Sequence, residues 1–136
     1  NELMLNYTKH DTPFHLEDVN THIEWTIKNS KSKEIRKVAI FHDLGKGLMK
    51  NYDNKLNKAT YRGHEMLGSY YALNYFYSTN QLNNDTLNIV YTVAYHMLRR
   101  NKMRQSKLDK LMTSQKLIES LDEFNKVDNQ SRIMNL

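Results

Sequence analysis

The sequence contains no cysteine. That excludes disulfides, thiolate metal sites and a cysteine nucleophile. Proline occurs once and glycine four times in 136 residues, so the residues that interrupt regular structure are scarce. No apolar run approaches the roughly 18 residues of a membrane span. No charged-then-apolar segment of signal type opens the chain, and a cytoplasmic location with no membrane attachment is the expectation. The first residue is Asn1 and not Met, which leaves room for a longer parent protein. β-Branched residues do not alternate over any long stretch, so strand signals are poor.

What is present is charge and helical spacing. The formal net charge is +5. A basic excess suits anionic partners such as nucleotides or nucleic acid, although a Lys- and Asn-rich composition produces the same excess without a partner. The length is that of one domain, read here as residues 1–136. Apolar residues recur at three- and four-residue intervals. This predicts helices from Glu17 to Asn29, with Asp18 near the start, and from Lys33 to Leu44, stopping at Gly45. Further helices are expected from Gly63 to Tyr77 and from Asp85 to Arg100. A short turn is expected at Lys107 to Met112, and a last helix from Ser114 to Met134. The stretch GKGLMKNYDNKLNKATYRG between the second and third helices carries three of the glycines and reads as a surface loop. The result is an all-α domain.

The polar residues on these helices are placed unusually. Val19, Ile23 and Ile27 form an apolar stripe with His22 beside it. Ile35, Val38 and Ala39 share a face with His42. His64 aligns with Leu67, Gly68 and Tyr71, and His96 follows Ile89 and Val93. Leu117, Leu121 and Phe124 lead to Asp128, with Asp122, Glu123 and Asn125 turned away. Asp43 comes directly after His42. One histidine on an apolar face reads as a hydrogen-bonded core residue. Five helices doing this read as convergence, because buried polar groups without partners cost several kcal/mol each, on the order of magnitude known for such groups. Four imidazoles and two carboxylates suit a late first-row divalent ion. Six donors exceed one ion with open positions. They fit two ions about 3.5–4 Å apart, bridged by a carboxylate and a hydroxide, in a helical bundle.

The order of these residues resembles a known pattern. His22, the doublet His42–Asp43 in HDLGK, and Asp128 in FNKVDNQSR are similar to the H…HD…D series of HD-superfamily metal-dependent phosphohydrolases. The resemblance runs from TPFHLEDVNTHI to FNKVDNQSR, nearly the whole chain. HDLGKG, YRGHEMLGS and AYHM resemble most closely the HD domains attached to bacterial CCA-adding enzymes and those of bacterial and phage polynucleotide end-healing proteins. The resemblance implies an HD-domain bundle of five to six helices with a metal site in its core. It also implies a phosphohydrolase that cleaves phosphate esters of nucleotides or RNA ends, of the 2′,3′-cyclic phosphodiesterase or phosphatase type. By match, His22, His42, Asp43 and Asp128 would hold a first ion, and His64 and His96 would complete a second site. In one-ion members these two histidines contact substrate phosphate instead. The implied cofactors are one or two divalent ions among Mn, Fe, Co, Ni, Zn and Mg. The chain lacks the GYP triplet and second adjacent histidine of the cyclic-di-GMP subgroup, and the acidic motif of the stringent-response hydrolases, which argues against those substrates.

The implied chemistry needs an activated hydroxide at neutral pH and neutralisation of phosphoryl charge. Asp43, at the end of its helix beside His42, is placed to bridge two ions and is the first catalytic candidate. Lys46 and Arg62 are the others, as phosphate contacts from the cleft rim, with a solvated loop lysine as the plain alternative for Lys46. Arg132 is a third basic candidate. His15 is either a substrate contact or an exposed loop residue, and His10 carries no signal. The basic run MLRRNKMRQSK after His96 either guides a polynucleotide or is a solvated helix end. Tyrosines in GSYYALNYFYS could stack on bases, but Tyr71 and Tyr75 read as core. The expected partner is a nucleotide or RNA-end phosphate, with no DNA sequence readout. The competing readings are a nucleotidase for free (deoxy)nucleotides and a catalytically silent HD fold that binds a nucleotide or a protein.

Overall fold

Short polar side chains start the helices. Asp18 accepts the Thr21 N–H at 2.7 Å, Ser32 accepts that of Ile35 at 3.2 Å, and Ser114 that of Leu117 at 3.4 Å. Asn83 and Thr86 satisfy each other's backbone N–H groups in a reciprocal capping box. Each cap fills one of the donors that the first helical turn leaves open. The computed structural model describes residues 9–12, 15, 17–98, 106, 110 and 114–132. Among them the order is α1 Val19–Asn29, α2 Lys33–His42, α3 Lys46–Met49, β1 Asn51–Asp53, β2 Lys58–Thr60, α4 His64–Ser78, α5 Asn84–Tyr95 and α6 Gln115–Gln130. The fold is a helical bundle with five helices of ten residues or more. No described helix is long and apolar enough to cross a membrane.

Helix α2 is the centre of the bundle and touches α1, α4, α5 and α6. It can do so because Ile35, Val38, Ala39 and Phe41 are all buried, giving it a wide apolar face. Ile35 and Val38 join Phe76, Ile89, Val93 and Phe124 in the main core. Smaller clusters form around Val19 and Ile23 and around Leu117 and Leu121.

The approach of α4 to α2 depends on glycine. A Cβ on Gly68 would stand 2.5 Å from the Phe41 carbonyl oxygen, and one on Gly45 would stand 2.6 Å from that of His64. Both obstacles are backbone atoms that cannot swing aside. Gly68→Ala should therefore push α2 and α4 apart and destabilise the domain by about 1–3 kcal/mol. A thermal melt checks this, and an unchanged Tm would show that the helices part without strain.

Several elements differ from the sequence expectation. The loop after α2 is not featureless: it holds the single turn α3 and an antiparallel hairpin pairing Asn51 with Thr60 and Asp53 with Lys58. Three-residue strands are too short to show alternation. The turn closes locally, with Asp53 accepting the N–H groups of Lys55 and Leu56 and Asn57 at φ 52°. Helix α2 ends at His42 and not Leu44. Helix α5 ends at Tyr95 and not Arg100, because the His96 N–H reaches back to Val93 at 3.4 Å and Leu98 to Tyr95 at 2.9 Å. Three-residue turns have there replaced the α pattern. Tyr75, expected in the core, is 48 % exposed, whereas Tyr71 is half-buried against it. Helix α6 ends at Gln130. The short turn expected over 107–112 lies outside the described residues save Lys110, as do residues 99–105 of the basic run and 133–134 of the expected last helix.

Candidate metal centre

His42, His64 and His96 stand at helix ends, where backbone groups are spare. His42 closes α2 and donates its Nδ1–H to the Ala39 carbonyl at 2.7 Å. His96 caps α5 and does the same to Val93 at 2.7 Å. His64 opens α4 and uses Tyr61, three residues back, at 2.8 Å. Each contact satisfies the ring N–H, and the Tyr61 and Val93 carbonyls accept a backbone N–H as well. His22, in the middle of α1, has no such local carbonyl. Its Nδ1–H goes instead to Ser131 at 2.7 Å, at the far end of the chain. With all four Nδ1 atoms committed, each Nε2 carries the free coordinating position, the arrangement that second-shell bonds impose on metal-ligating histidines.

The four Nε2 atoms converge on Asp43. Its Oδ2 lies 3.1 Å from His42 and 3.6 Å from His22. Its Oδ1 lies 3.2 Å from His64 and 3.7 Å from His96. One oxygen thus serves each pair of imidazoles. Asp128 completes the first group, with Oδ1 2.8 Å from His22 and 3.5 Å from His42. Its Oδ2 is held by Arg132 at 3.2 Å. Donor atoms about 2.1 Å from one ion stand about 3–3.4 Å apart, close to these spacings.

Electrostatics points the same way. Burial opposes a charge on His42, yet Asp43 and Asp128 raise its pKa to about 10. A proton then stands where a cation is favoured, and the His42 Nε2 has no hydrogen-bond partner despite being buried. Burial also opposes ionisation of Asp43, but His42 and Lys46 hold it well below the usual carboxylate range. Burial is likewise outweighed at Asp128, by the hydrogen bond of His22 and the nearby His42. His96 is lowered, chiefly by burial. Its Nε2 faces that of His64 at 3.4 Å, a contact of two acceptors unless a proton or an ion lies between them. Two groups among the described residues could therefore hold a divalent ion here: His22, His42 and Asp128, and Asp43, His64 and His96. No cysteine is present, and an imidazole–carboxylate set suits first-row divalent ions.

A family model described as the HD domain matches residues 15–122. The chain belongs to the HD-domain family. No curated protein and no solved structure matches it significantly. Five of the six candidate donors fall inside the matched segment, and Asp128, which lies beyond it, is brought to the same centre by α6.

The other sequence candidates separate. Lys46 is not a solvated loop residue. It is buried, its Nζ lies 3.2 Å from Asp43 Oδ2 and 5.2 Å from the Tyr61 ring centroid. Arg62 is exposed on the cleft rim. Arg132 also lines the cleft but is engaged with Asp128. Asn125 does not turn away but is half-buried and lines the cleft, whereas Asp122 is exposed at its edge. His15 is half-buried, and bonded to Glu17 at 2.8 Å. Sequence reasoning missed three residues. Ser131 accepts from His22 and bonds Asn29 and Val127, with no sequence signal of its own. His10 and Glu17 are buried beside His15. The pattern His10…His15-x-Glu17 was visible, but it lies in no periodic helix.

Proposed function

We propose that this HD domain is a phosphohydrolase that cleaves phosphate esters of nucleotides or RNA ends, of the 2′,3′-cyclic phosphodiesterase or phosphatase type. The observation that carries the reading is Asp43, whose two oxygens each serve one pair of imidazoles. His22, His42, Asp43 and Asp128 would hold one divalent ion, and Asp43, His64 and His96 a second. When bound, such ions supply an acidified water and positive charge for the phosphoryl oxygens. Lys46, held between Asp43 and Tyr61, orients Asp43 and places a cation at the cleft wall. Arg62 adds a rim contact for a phosphate. Lys58 and Lys126 extend the same cleft, which suits a substrate longer than one phosphate. The likeness of HDLGKG, YRGHEMLGS and AYHM to the HD domains of CCA-adding and end-healing proteins supports RNA ends as the substrate class.

A panel of 2′,3′-cyclic nucleotides, 2′-, 3′- and 5′-nucleotides and nucleoside triphosphates, each with Mn, Co, Ni, Zn or Mg, tests the reading. Turnover of cyclic or 2′-phosphates is expected. Activity confined to free 5′-nucleotides would replace it with a nucleotidase. Metal uptake without turnover of any ester would favour a binding module.

A further inference from the structure

A second cluster of metal-type donors lies beside the centre and adjoins it through Glu17, whose Oε1 is 3.3 Å from the His22 Nδ1. His10 is 1 % exposed. Its Nδ1–H goes to the Glu17 carbonyl at 2.7 Å, so its Nε2 is an acceptor, and that atom is buried without a partner. An orphaned buried acceptor is unfavourable unless a partner fills it. The His15 ring stacks on that of His10, with centroids 4.1 Å apart, and its Nδ1 lies 2.8 Å from Glu17 Oε1. Glu17 is itself buried. One donor atom from each of the three lies within 4.8 Å of the others, and both imidazoles line the cleft.

The segment that carries them is fastened from two sides. Lys9 pairs with Asp18, and Thr12 with His15. The Ala59 N–H donates to Asp11 at 2.9 Å, the Tyr61 hydroxyl donates to the carbonyl of His10, and Lys50 donates to Asp11 at 2.6 Å. Two imidazoles and a carboxylate gathered in this way form the His₂–Glu donor set of a first-row ion with open positions.

We infer that His10, His15 and Glu17 form a third cation site, which takes a first-row divalent ion and opens onto the same cleft as the paired centre. The site stands whether or not the paired centre hydrolyses phosphate esters. An ion there would present a positive charge to a part of the ligand away from the paired centre.

Wild-type crystals soaked in Co(II) or Zn(II) and measured at the metal edge test it directly. An anomalous peak bounded by His10, His15 and Glu17 is expected. Peaks at the paired centre with none at this site would overturn the inference and leave the hydrolase reading untouched. In solution, apo protein reloaded with Zn(II) should hold one ion more than His15→Gln prepared in the same way. His15 is only half-buried, so this variant is the least disruptive choice, and far-UV CD checks its fold. Equal stoichiometry in a folded variant overturns the site. If the variant does not fold, the anomalous map alone decides.

Discussion

Asp43→Ala should lower phosphate-ester hydrolysis by more than about a thousandfold and reduce metal uptake at both donor groups, while the helical CD signal persists. The Asp43 carboxylate lies within 4 Å of all four imidazoles of the two pairs. Losing Asp43 removes a donor from the His64–His96 group and takes the second carboxylate oxygen away from His22 and His42. The same variant carries a pH signature in the apo state. Asp43 is buried, which opposes its charge, but His42 and Lys46 hold its pKa well below the ordinary value of 3.8. A group whose folded pKa is depressed stabilises the fold above the unfolded pKa, and that stability is lost as pH falls. The parent protein should therefore lose stability on acidification below about pH 4 more steeply than Asp43→Ala. Turnover near that of the parent would refute the metal-centred mechanism, and parallel acid melts would refute the charge assignment.

Phe124→Ala is expected to have the largest effect on stability, about 3–5 kcal/mol, which lowers Tm by more than about 10 °C in a domain of this size. Phe124 is fully buried and belongs to the main core with α2 and α5 residues. It is also the floor of the centre. Its ring centroid lies 4.9 Å from that of His42 and 5.9 Å from that of His96. Truncation leaves a cavity beneath both imidazoles, so metal affinity should weaken along with the fold. Calorimetry gives the first effect and metal titration below the lowered Tm the second. Normal affinity in the weakened variant would show that the carbonyl bonds of His42 and His96 orient their rings unaided.

Much of this was legible without a structure, for one reason. The donors sit on strongly periodic helices, and the 3.6-residue period states which face a residue shares. Thus Ile35, Val38 and Ala39 predict where His42 points, and Leu117, Leu121 and Phe124 do the same for Asp128. The all-helical class follows from the same periodicity and from the lack of alternation. Where the period fails, so does the reading. The hairpin is held by a tight turn and one pairing of short strands, which leave no pattern. The ends of α2 and α5 were placed too late because the terminating residues, Asp43 and His96, read as continuing the helix. Lys46 looked like a loop cation because nothing local announces that Asp43 and Tyr61 enclose it.

Tertiary structure decided what periodicity does not address, namely distances between elements. Sequence spacing put four histidines and two carboxylates on inward faces, and only the family resemblance, not the spacing, divided them between two groups. The division rests on which Asp43 oxygen meets which imidazole. Contacts across most of the chain, such as His22 to Ser131, depend on how α1 packs against α6. Burial of His10 depends on a segment strapped down by the hairpin and Tyr61. A residue in no regular element has no face to read from its neighbours, so its surroundings exist only once the rest of the chain has folded around it.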